Sequence, residues 1–123
     1  MFNWLKNKLS GGSGPVDEAG KNDLVRAQLQ AHGDTGEKPR HVIHYAYPAK
    51  DAAEPAPREE ARALLEGHGF EFSDALEGGW VFEHEREVAS ADFDQLTEQL
   101  ADRLAGIGWE YDGWECAMLV DEV

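Results

Sequence analysis

The chain has 123 residues, 41% hydrophobic and 10% aromatic, with a formal net charge of −14. That length and apolar content fit one domain with a modest core and exclude a disordered chain. All 25 acidic residues lie beyond residue 16 against 9 basic ones, a net of −16 that repels nucleic acid and favours a basic protein segment as partner.

In chain order, Phe2, Leu5 and Leu9 fall along one helical face with Trp4 beside it, and residues 10–15 (SGGSGP) read as a flexible linker. Residues 1–16 are therefore expected to form an amphipathic tip on a tether, and 17–123 a single domain. Residues 1–9 read first as a frayed or self-packed end, with contact with a membrane surface or a groove as the alternative. A first core helix is expected over 21–32, capped by Asn22 or Asp23 and stopped by Gly33. Residues 40–48 (RHVIHYAYP) carry the branched and aromatic side chains that strands favour. A second helix is expected over 57–68, with Pro57 in its first turn and Glu59 and Glu60 at the positive end of its dipole. Strands follow over 70–73 and 80–88. Ser90 then caps a helix over 91–106, whose Phe93, Leu96, Leu100 and Leu104 keep the helical spacing.

The last strand begins at Trp109 and contains the densest cluster of functional groups, Tyr111-Asp112-Gly113-Trp114-Glu115. Apolar residues alternate on both sides of Gly113, and a glycine inside such a strand marks a bulge or a close backbone approach. An Asp-Gly hairpin turn is the alternative, but 109–111 is short for half of a hairpin. Trp109, Tyr111 and Trp114 are either core or a binding surface, whereas the two carboxylates favour the surface.

From residue 40 onward the order is β-α-β-β-α-β, which predicts an α+β, ferredoxin-like sheet with helices on one face, plus an extra N-terminal helix. Two octapeptides, LEGHGFEF at 65–72 and LAGIGWEY at 104–111, match at an offset of 39 residues, as a repeat of βαβ halves would. In such a sheet the strands over 40–48 and 80–88 are central. The Tyr111–Glu115 stretch then lies at an edge, and the first helix is the candidate to cap the second face.

Cys116 is the single cysteine, which excludes an internal disulfide and suits a reducing compartment. No run approaches the roughly 20 apolar residues of a membrane span, and no signal-peptide pattern opens the chain. The cytoplasm is the expected location. His41, His44, His84 and Cys116 lack any metal-ligand spacing, and no phosphate loop or nucleophile motif occurs, so neither metal nor cofactor is expected. Tyr45, Tyr47 and Phe82 on a sheet resemble an RNA-stacking platform, but the negative charge speaks against direct nucleic-acid binding.

Four segments carry a family resemblance: Gly33-Asp34, the Pro39-to-Tyr47 run PRHVIHYAY, Gly69-Phe70-Glu71-Phe72, and Tyr111-Asp112-Gly113-Trp114-Glu115. Together they resemble the RraB family, regulators of ribonuclease E activity, over about 21–118. The resemblance implies a small cytoplasmic protein that binds the endoribonuclease RNase E and inhibits it without catalysis of its own. Asp34, His44, Tyr111, Asp112, Gly113, Trp114 and Glu115 are the partner-contact candidates it suggests. The alternative is a small-molecule-binding or enzymatic domain that uses the Tyr111–Glu115 edge with His44 or His84.

Overall fold

A computed structural model of the chain describes residues 4–6 and 18–119. In order these form β1 (Trp4–Lys6), α1 (Glu18–Ala31), β2 (Arg40–Pro48), α2 (Arg58–Leu65), β3 (Glu71–Asp74), β4 (Trp80–Arg86), α3 (Ala91–Ala105) and β5 (Trp109–Ala117). The fold is α+β, with one five-stranded sheet ordered β1-β5-β2-β4-β3. All of its pairings are antiparallel.

Alternation along β2 decides the layering. Arg40, Val42, His44 and Ala46 are buried, while His41, Ile43, Tyr45 and Tyr47 between them are only half-buried. The buried set pairs with Phe82 and His84 of β4 and with Trp114 and Cys116 of β5. All three helices pack on this side. Phe93 of α3 meets the Trp114 ring edge-on at 4.8 Å, and Asn22 of α1 accepts a 2.7 Å bond from Trp114 Nε1. The guanidinium of Arg58 in α2 lies 4.0 Å over the Trp80 ring. Val25, Leu29, Leu65, Phe82, Phe93, Leu100, Leu104, Trp109 and Trp114 are all within 5% of complete burial.

Several boundaries differ from the sequence reading. The helix α1 starts at Glu18, so Asn22 lies inside it and caps nothing. Nor does α1 cap the second sheet face. It packs beside α3, where Arg26 pairs with Asp94 at 2.6 Å and donates to the carbonyl oxygens of Val88 and Ser90. The helix α2 stops at Leu65 because Glu66 is already extended. The strand β4 stops at Arg86 because Glu87 folds back to accept from the amides of Ala89 and Ser90. Ser90 caps α3 as expected, accepting from Phe93 N at 3.3 Å.

The two matched octapeptides agree only in part: Glu66 is already extended and Gly67 has φ 97°, whereas Ala105 is still helical and Gly106 has φ −65°. Leu65 and Leu104 are both fully buried, and Gly69 and Gly108 share a positive φ of 79° and 77°. At the N-terminus, Trp4–Lys6 form a strand that pairs with residues 115–117 of β5 in place of a helical face, so that end of β5 is not an edge. The rest of the expected tip and the linker lie outside the described residues.

Candidate functional site

The register of β5 against β2 slips by one residue between His44 and Ala46. Trp114 stands opposite His44 and Tyr111 opposite Ala46, so Asp112 and Gly113 together oppose Tyr45. This is a β-bulge, and Gly113 occupies it with φ 94°. The extra residue shifts the phase of the strand. Tyr111 and Trp114, three apart, both turn toward the helices.

Trp114 is 1% exposed, so it is core and does not form a surface anchor. Tyr111 is buried as well, and its hydroxyl lies 2.7 Å from His44 Nδ1. His44 is fully buried, stacked on Phe82 at 5.1 Å, and its Nε2 lies 2.9 Å from His84 Nε2. Burial first, then the neighbouring His84 and Arg86, holds the His44 pKa well below its ordinary value. Burial and Arg86 bring His84 down to about 4. Both imidazoles are therefore neutral near pH 7, one donating to the other, with the Tyr111 hydroxyl completing the chain. Cys116 is inert at the same pH, since burial outweighs the nearby Arg40 and pushes its thiol up to about 11.

Asp34 is also structural. It is 3% exposed and receives both Nη atoms of Arg40, at 2.5 and 2.9 Å. The amides of Gly36 and Leu119 donate to the same carboxylate at 2.9 and 2.8 Å. Arg40 Nη1 in turn donates to the Ala117 carbonyl oxygen at 3.1 Å. Burial works to raise the Asp34 pKa, but the Arg40 and amide hydrogen bonds prevail and lower it.

Of the seven candidates, Asp34, His44, Tyr111, Gly113 and Trp114 are thus interior, and only Asp112 and Glu115 reach the surface. Glu115 accepts from the Tyr45 hydroxyl at 2.6 Å. Burial and this carboxylate raise the Tyr45 pKa above its ordinary value.

Glu115 and Tyr45 belong to the sheet face turned away from the helices; of the expected Tyr45, Tyr47 and Phe82 platform, only the two tyrosines lie there, since Phe82 pairs with His44 on the buried side. Across it Ile43 lies between Glu83 and Glu115, Tyr45 stands opposite Val81, and Tyr47 lies beside Glu110. The signal was present in the second phase of β2, where Ile43, Tyr45 and Tyr47 alternate with the core residues. Among the described residues, no group of three or more His, Cys, Asp or Glu side chains is placed to hold a metal ion. No described helix is long and apolar enough to cross a membrane.

Comparison with known families finds a match over residues 20–116 to the model of RraB, described as regulator of ribonuclease activity B. Neither the curated proteins nor the solved structures give a match.

Proposed function

This chain belongs to the RraB family, regulators of ribonuclease activity, and from that membership we propose that it is a non-catalytic inhibitor that binds an RNase E-type endoribonuclease. In this reading the protein works in the cytoplasm, engages a basic segment of the enzyme and does not touch the RNA itself. The family match over residues 20–116 carries the reading. The charge supports it, since residues 17–123 at −16 attract a basic polypeptide and repel phosphate. The interior position of His44 on β2 and of Trp114 and Cys116 on β5 also supports it, because these side chains serve packing. The strand order, with β2 and β4 central, supports a ferredoxin-like reading of the domain.

A cleavage assay with a purified RNase E-type endoribonuclease and a labelled RNA tests the proposal. Adding this protein should slow cleavage in a saturable way, with the RNA alone showing no gel shift. Unchanged cleavage together with no co-purification of the two proteins would overturn it.

A further inference from the structure

The sheet face turned from the helices ends in a groove of about 750 Å³. Its floor is Tyr47 and Pro48, one wall is the short 3-10 turn Leu76–Gly78, and the other is the Glu110 and Asp112 end of β5. The Tyr47 ring lies where a side chain at position 79 would stand. A Cβ on Gly79 would collide with that ring and with the Ala46 carbonyl oxygen.

The turn is held firmly. Arg58 donates to the carbonyl oxygens of Gly78 and Gly79 at 3.0 and 3.1 Å, and Gly79 N closes on the Leu76 carbonyl oxygen at 3.1 Å. Within it Glu77 adopts φ 56°, a left-handed conformation rarely taken by a residue with a side chain. That strained turn presents Leu76 to solvent at 83% exposure, where an apolar side chain gains nothing from folding. Three carboxylates line the groove (Glu77, Glu110 and Asp112) against the single ammonium of Lys50.

We propose that this groove docks a basic protein segment, seating an aliphatic side chain between Leu76 and Tyr47 and directing its Arg or Lys toward Glu110 and Glu77. Charge complementarity selects this occupant, because an aromatic floor among carboxylates attracts a guanidinium by both ion pairing and cation–π contact. The proposal rests on the ribonuclease-regulator reading for the identity of the partner, but not for the chemistry of the groove.

Two measurements on the full chain separate these levels. First, a synthetic peptide of alternating arginine and leucine is titrated into isotope-labelled protein. Backbone amide shifts should centre on Tyr47, Leu76, Glu77 and Glu110, and the variant Leu76→Ser/Glu110→Gln should weaken the peptide about tenfold with unchanged melting. Absent shifts, shifts centred on another face, or a variant that only changes self-association would each overturn the groove.

Second, wild type and the same variant are compared against the purified endoribonuclease. A variant that binds the enzyme about tenfold more weakly than wild type supports the groove. A variant that binds it as tightly as wild type overturns the groove and leaves the regulator reading standing. If neither binds the enzyme while wild type still takes the peptide, the groove stands and the regulator reading falls.

Discussion

At Gly113 the backbone carries the φ of 94° that lets two residues of β5 face one of β2. Gly113→Val is expected to cost about 1–3 kcal/mol through backbone strain, read by denaturant unfolding; a variant as stable as wild type would contradict the bulge. The glycine was legible in the sequence because alternation changes phase across it. The same change of phase carried a second message that was not read. It returns Trp114 to the side of Tyr111, so the pattern that announces the bulge also announces a buried tryptophan. The neutral His44–His84 pair makes a pH prediction with a definite sign. Both histidines have folded pKa values below the unfolded value of about 6.5, so the unfolded chain binds more protons in that window. Stability should be complete above about pH 6.5 and fall as the pH drops toward 4. Melting temperatures across that range should show the decline, and His84→Gln should make it shallower.

Among the elements, α1 shows what pattern alone misses. Its apolar core contacts are few, Val25 and Leu29, and a buried polar group docks it beside them. Asn22 is completely buried, accepts from Trp114 Nε1, and donates to Asp94 and Thr97 at 2.9 Å each. A polar residue near the start of a helical run reads naturally as a cap, so nothing local in the sequence marks this one as a link to a tryptophan 92 positions away. Asn22→Ala removes the acceptor of that indole N–H and the amide that donates to Thr97 and Asp94, and should destabilise the protein by about 1–3 kcal/mol. Thermal melts with the nearly isosteric Asn22→Leu alongside would distinguish loss of hydrogen bonds from loss of volume. The strands were legible for the opposite reason. Burial on one face writes itself into the sequence at every second position, and β2 carries that signature along its length while β5 carries it on each side of its bulge.

For the whole molecule, the charge makes a prediction about rates. Long-range attraction between an acidic domain and a basic partner is screened beyond roughly 8 Å at physiological ionic strength. The association rate with the endoribonuclease should therefore fall steeply as salt rises, while the dissociation rate changes little. Stopped-flow or surface-binding kinetics over a salt series measure both, and a salt-independent association rate would count against an electrostatically steered complex. The composition made this charge legible at once. Where on the surface it acts was not legible, because the carboxylates on β3, β4 and β5 reach one face only through strand pairing.

The pairing of β2 with β5 has a consequence for biosynthesis. Every polar side chain buried on β2 finds a partner at the far end of the chain: His44 in Tyr111, and Arg40 in the carbonyl of Ala117. Asp34, which holds Arg40, receives the amide of Leu119. A nascent chain on the ribosome carries β2, β3, β4 and all three helices before it carries any of these partners. Until the last strand emerges, β2 keeps an open ladder along one side and an ion pair without its final hydrogen bonds. The sheet is thus expected to close only once β5 is available, and that strand is the one the family motif occupies.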